Sequence, residues 1–147
     1  MIRQLTPADL AALLPLFEAY LEFYRVEQPP EQQRTFLAGR LAGNDSVAFG
    51  FFEEDGRMTG FALCHFAYNS LRLAQAWILH DLFVAPDKRR HGTARKLLEA
   101  VHAAARASGA CEVVLSTAED NTPARNLYEN AGYRHDEVFR TYVFDLR

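Results

Sequence analysis

Residues 76–106, AWILHDLFVAPDKRRHGTARKLLEAVHAAAR, decide how this chain folds. The apolar run from Trp77 to Val84 reads as a buried strand. Pro86 ends it, and Lys88, Arg89 and Arg90 follow. Gly92 then opens a run in which Ala94, Leu97, Leu98, Val101 and Ala105 recur at the spacing of one helix face. Strand, basic turn, glycine and helix together build an anion site. The first N–H groups of a helix lack internal partners, and the aligned peptide dipoles add partial positive charge there. A diphosphate satisfies both.

Charge supports that reading. The net charge is −3, yet Lys88, Arg89, Arg90, Arg95 and Lys96 place five cations within nine residues that hold no acid. The rest of the chain sets 11 basic residues against 19 acidic ones. One concentrated cationic turn on an acidic protein suits a small polyanion. It does not suit nucleic acid, which needs an extended basic face along its backbone.

Outward from this centre, the 147 residues are expected to form a single domain, 1–147, around one core. No apolar run reaches the roughly 20 residues of a membrane span, and the start, MIRQLTPADL, lacks a secretory pattern. Cys64 and Cys111 are isolated in apolar stretches and read as reduced core thiols, which points to the cytoplasm. Seven strands are predicted: Ile2–Leu5, Val47–Glu53, Met58–Tyr68, 75–85, Cys111–Thr117, Tyr133–Asp136 and Arg140–Leu146. Thr6-Pro7-Ala8-Asp9 caps a first helix, Glu31–Leu41 forms a second, 92–107 a third, and Thr122-Pro123 starts a short fourth that Gly132 ends. The expected class is α/β (α+β): a mixed, mostly antiparallel sheet of about seven strands with helices on both faces.

Two polar residues, His80 and Asp81, interrupt the apolar strand. A buried ionisable group must be hydrogen-bonded or paired, and strand alternation turns one of the two to the opposite sheet face. Neighbouring loops satisfying the pair and a ligand facing it both remain open. On the fourth helix, Ala124, Leu127, Tyr128 and Ala131 share one face, where Tyr128 either packs or donates a proton. Asn121 either caps that helix or binds a ligand. Ahead of Pro29-Pro30, Glu18, Tyr20, Glu22, Tyr24 and Glu27 mix carboxylates with aromatic rings. That suits a cation by charge and cation–π attraction, and equally describes a solvated helix face. His65, His102 and His135 show no ligand spacing, so no metal is expected.

Two stretches resemble a known family. Arg89-Arg90-His91-Gly92-Thr93-Ala94 is similar to the [Q/R]-x-x-G-x-[G/A] loop of the GCN5-related N-acetyltransferases, which grips the pyrophosphate of acetyl-CoA. Asn121 to Tyr133, NTPARNLYENAGY, resembles that family's N-x-x-A-x-x-L-Y-x-x-x-G-[F/Y] signature. Thr93 departs from the branched apolar or aromatic residue commoner at its position. The resemblance covers the whole chain and looks closest to the branch of the Hpa-type and spermidine/spermine acetyltransferases. It implies the acyl-CoA acyltransferase fold, acetyl-CoA as co-substrate and a homodimer. It further implies a cofactor site of Leu82, Phe83, Val84, Arg89, Arg90, His91, Gly92, Thr93, Ala94, Arg95, Asn121 and Tyr128. Tyr128 aligns with the tyrosine that protonates the leaving thiolate, and His80 with a candidate base. Asp81, Glu22, Tyr24 and Glu27 fall where relatives hold the acceptor amine.

The implied reaction is direct attack of an uncharged amine on the acetyl thioester, with a small cationic amine such as a polyamine or amino acid as acceptor and no nucleic-acid or membrane partner. A protein lysine or N-terminal amine is the alternative within the fold. A non-catalytic acyl-CoA-binding module is the alternative outside enzymology, and it has no use for the proton of Tyr128.

Overall fold

The computed structural model describes residues 1–147, which fall into two compact units, Met1–Ser116 and Thr117–Arg147. The first unit holds a five-stranded sheet in the order β1-β2-β3-β4-β5. Its strands are β1 (Ile2–Gln4), β2 (Ser46–Phe52), β3 (Met58–Asn69), β4 (Ala74–Val84) and β5 (Glu112–Val114). The first four run antiparallel in sequence order, and β5 pairs parallel to β4. Three helices accompany them: α1 (Leu10–Phe23), α2 (Pro30–Ala42) and α3 (Thr93–Ser108). No helix is long and apolar enough to cross a membrane.

The pleat of β3 sorts the helices. Phe61 and Leu63 share a core with Leu13, Leu16 and Phe17 of α1, Leu37 of α2 and Phe83 of β4. Burying each such side chain stabilises the fold by about 1.5–3 kcal/mol. The even positions of β3 meet α3, whose Leu97, Leu98 and Val101 are fully buried. Gly60 sets that approach. A Cβ built on it would lie 3.1 Å from Leu97 Cδ1 and 3.2 Å from Thr93 Cγ2. Thr93 is buried and turns its methyl toward Gly60 of β3. Cys64 is buried on this strand, and burial together with the Asp81 charge pushes its thiol up to about 12. Both cysteines are free.

The start of α1 is tied to β1 by one carboxylate. The Arg3 guanidinium donates to both oxygens of Asp9 at 2.9 and 2.7 Å, and the Thr6 N–H donates to it at 2.8 Å. The Arg3 contact is the main reason the Asp9 carboxyl is held at about 2, against an ordinary 3.8. A carboxyl depressed in the folded state stabilises above its unfolded pKa and loses that contribution as pH falls toward the folded one. Asp9→Asn should therefore cost about 1 kcal/mol at neutral pH. The gap in Tm from wild type should close as pH falls from about 4 toward about 2. A gap that persists unchanged at the acid end would assign the loss to packing.

The sheet has five strands where seven were expected. The predicted strand Cys111–Thr117 is reduced to Glu112–Val114, and Tyr133–Asp136 and Arg140–Leu146 form no strand. In the second unit the Asp136 carboxylate accepts N–H bonds from Val138 and Phe139 at 2.9 and 3.1 Å, which curls the chain into a turn. The alternating pattern beyond it has the composition of a strand without a partner strand, and a ladder needs both. The second unit's one helix, α4 (Thr122–Asn130), has no fully buried residue.

Candidate active site

The register of β3 with β4 slips at one point. Leu63 faces Asp81 and Cys64 faces Leu79, so His80 is the extra residue of a β-bulge. The bulge reverses the phase of β4: Trp77 and Leu79 pair across from the α3-side residues Phe66 and Cys64, whereas Asp81 and Phe83 pair with Leu63 and Phe61 on the α1 side. The expectation that His80 and Asp81 point to opposite faces is therefore wrong. The inserted residue interrupts alternation, and the His80 Nδ1 lies 3.4 Å from Asp81 Oδ1.

Around them stands a small polar group inside an aromatic wall. The Tyr20 hydroxyl of α1 donates to Asp81 Oδ1 at 2.6 Å, the short length of a bond to a charged acceptor. Asp81 is buried at 6% exposure, and His80 is exposed beside it. The His65 ring stands edge-on to His80 at 5.4 Å. Burial, then the neighbouring His80, lowers the His65 pKa, which keeps that ring neutral at physiological pH. Phe61, Phe83 and Tyr24 surround Tyr20 at ring distances of 5.8, 5.8 and 5.1 Å. Donor atoms of His65, His80 and Asp81 lie within 4.8 Å of one another, close enough for a cation, but Asp81 Oδ1 is taken by the Tyr20 hydroxyl.

Beyond the bulge, β4 opens. Its pairing with β5 covers only Ala76, Trp77 and Ile78, so no strand borders Leu79 to Val84 on that side. The chain then turns through Pro86–Lys88 into Arg89-Arg90-His91-Gly92. Arg90 has φ +67° and Gly92 φ +76°, both left-handed conformations. Gly92 precedes α3 with no side-chain cap, so the N–H groups of Thr93, Ala94 and Arg95 have no helical acceptor. A Cβ on Gly92 would meet nothing within 4 Å, which leaves this approach open to a ligand.

The cations of the turn are not a uniform cloud. Arg89 folds back, donating from Nε to the Val84 carbonyl at 3.0 Å with its guanidinium over Phe23 and Phe83. Lys88 lies 3.7 Å from Glu53, Arg95 pairs with Glu99, and Lys96 sits over Phe51. Arg90 and His91 are exposed.

The other expected site residues fall as follows. Leu82 and Val84 lie on the α3 side of β4, whereas Phe83 packs toward α1 among Tyr20, Phe23 and Phe61. Glu22, Tyr24 and Glu27 are exposed at the end of α1, with the Tyr24 ring edge-on to Tyr20. In the second unit, Asn121 accepts from the Ala124 N–H at 3.3 Å and so caps α4, while the partly buried Tyr128 ring stands 5.8 Å from Tyr133. Sequence reasoning missed Tyr20 as the partner of Asp81, and it passed over His65. Both were within reach, since Tyr20 follows Leu13, Leu16 and Phe17 at helical spacing and His65 lies on a strand adjacent to β4.

The open edge of β4 thus leads into a glycine-started helix, an arrangement compatible with an anionic ligand. Residues 13–133 match the acetyltransferase (GNAT) family. The uncharacterized N-acetyltransferase YhfO of Bacillus subtilis is 37% identical over 145 residues, covering 99% of this chain and 97% of that protein. A crystal structure of a probable acetyltransferase is similar over 100% of this chain and 98% of its own, with TM-score 0.95 and 36% identity. The aminoglycoside N(6')-acetyltransferase type 1 of Stenotrophomonas maltophilia is 29% identical over 139 residues, covering 92% of this chain and 87% of that protein. The chain belongs to the GNAT family and is an N-acetyltransferase. Enzymes of this family use acetyl-CoA.

Proposed function

We propose that the chain acetylates a primary amine of a small cationic acceptor, a polyamine, an amino acid or an amino sugar, by direct attack on acetyl-CoA. The observation that carries this reading is the buried Asp81 carboxylate, bonded to Tyr20 and beside His80 but to no Lys or Arg. A buried negative charge without a cationic partner favours a cation brought by the substrate. The Tyr20 and Tyr24 rings add cation–π surface, and Glu22 and Glu27 add negative charge on the same segment. The resemblance to the polyamine branch and the aminoglycoside-acetylating relative point the same way.

The residues divide the work by chemistry. Bound acetyl-CoA supplies the activated thioester. Backbone N–H groups from Arg90 to Arg95 hold its diphosphate, and Leu82 and Val84 border the open edge of β4. Asp81, facing Nδ1, fixes the His80 tautomer and leaves Nε2 to accept the ammonium proton, while Tyr20 holds the carboxylate in place. The neutral His65 ring adds no competing charge. Asn121 keeps its side-chain N–H₂ for a ligand while its oxygen caps α4. The Tyr128 phenol supplies the proton on Oη to the departing sulfur.

Thiol release from acetyl-CoA across a panel of amines and one lysine peptide tests the reading. Small cationic amines should give the highest kcat/KM, falling as ionic strength rises while kcat holds. His80→Gln with Asp81→Asn should lower turnover about 10²-fold and flatten the rise of rate with pH. A neutral or anionic best acceptor with salt-independent kcat/KM would overturn the acceptor class. An unaltered pH–rate profile in the double variant would remove the base assignment.

A further inference from the structure

Two imidazoles and a carboxylate converge across the central strands. His65 lies on β3, and His80 and Asp81 lie on β4 at the bulge. One donor atom from each stands within 4.8 Å of the other two, and His80 Nδ1 is 3.4 Å from Asp81 Oδ1. Spacing along the chain conceals this group, because strand pairing assembles it. In a regular strand neighbouring side chains point to opposite faces, so the bulge is what lets His80 and Asp81 meet.

Three features suit the group to a metal ion. Ligand atoms around a tetrahedral zinc, bound at about 2.1 Å, stand roughly 3.4 Å apart. Closing the group from 4.8 Å takes a movement of about 1.4 Å. The His80 side chain, 67% exposed, has the room to make it. Second, the Tyr20 hydroxyl donates to Asp81 Oδ1 at 2.6 Å, which leaves Oδ2 for an ion. Carboxylates that bind metals are commonly fixed by such an outer hydrogen bond. Third, no Lys or Arg pairs with Asp81, and Arg40, whose charge reaches His65, is itself paired with Asp45 at 2.8 Å. Two nitrogens and one oxygen select Zn²⁺ over hard Mg²⁺ or Ca²⁺, and three protein ligands leave a fourth position for water.

We propose that His65, His80 and Asp81 form a Zn²⁺ site, and that the bound ion shuts off acetyl transfer by taking the acceptor's contacts. The metal site stands on geometry alone. The inhibition rests on the reading of His80 and Asp81 as base and acceptor contact given above. Whichever ring nitrogen of His80 binds the ion, the other carries the ring's proton, so neither accepts one from an ammonium. A dication beside Asp81 also repels a cationic amine.

Calorimetric titration of Zn²⁺ into the full chain, without acetyl-CoA, reads the site independently of catalysis. One equivalent should bind. Loss of an outer-shell partner alone costs about 10–100-fold in metal affinity, so His65→Gln and His80→Gln should each cost at least about 10-fold. Both positions lie outside the fully buried core, and far-UV dichroism checks that each variant folds. No stoichiometric binding, or an affinity that neither substitution moves, would overturn the inference whatever amine the enzyme prefers. Acetylated amine, quantified by mass spectrometry, reads the second half. Zinc should inhibit competitively with the amine, and EDTA should restore the rate. His65→Gln, compared with its own metal-free rate, should need at least about 10-fold more zinc for the same inhibition. Binding that depends on His65 and His80, with acetyl transfer indifferent to zinc, would uphold the metal site. It would overturn the inhibition and move the acceptor away from His80.

Discussion

Gly92→Val should abolish useful cofactor affinity, with Kd for CoA rising by about 10²-fold or more while the fold survives. Two effects act together. The φ of +76° at Gly92 is a left-handed conformation, and a β-branched residue there costs of order 1–3 kcal/mol. The chain can relieve that strain only by rotating the turn, which takes the N–H groups before α3 out of line. The second effect is steric. A Cβ at this position meets no protein atom within 4 Å, so the added carbons would fill the approach proposed for the diphosphate rather than clash with the protein. Titration calorimetry with CoA checks the affinity, and far-UV dichroism checks the fold. Unchanged affinity in a folded variant would move the diphosphate away from this turn.

Tyr128→Phe should reduce turnover about 10²-fold with little change in CoA affinity. The substitution keeps the ring that meets Tyr133 at 5.8 Å and deletes only the hydroxyl. An interaction made with the leaving group alone lowers kcat and kcat/KM together and leaves ground-state binding intact. Acceptors whose amines attack fastest should show the full loss only if sulfur departure limits the rate. Turnover within twofold of wild type would make Tyr128 a packing residue and place the proton donor elsewhere. A parallel fall in kcat and in CoA affinity would show instead that the hydroxyl holds α4 in place.

Local sequence carried the parts of the fold that depend on local rules. The turn from β4 into α3 was legible because glycine, basic residues and helical spacing occur consecutively. The hairpin of β2 and β3 was legible from alternation and from Gly56, whose φ of +85° the turn requires. What the sequence did not reveal involves partners far along the chain. The Tyr20–Asp81 bond spans 61 residues, and nothing near Tyr20 announces it. The bulge at His80 was hidden because an extra residue leaves no mark on composition; only the register with β3 exposes it. The two missing C-terminal strands show the converse. Their alternation is genuine strand composition, but hydrogen bonding to a neighbour is a property that no single segment contains.

The bulge has a further consequence for how this strand can change. Because one residue reverses the phase of β4, its two halves are locked to the sheet through a difference of one in chain length. Exchanging His80 for another side chain alters the chemistry at that point and leaves both halves in register. Deleting it would rephase the strand, sending the buried Trp77 and Leu79 toward the face that Ile78 now occupies and offering Ile78 to the core in their place. The position can vary in identity but cannot vanish, so substitutions are open to selection at this point of the molecule and length changes are not.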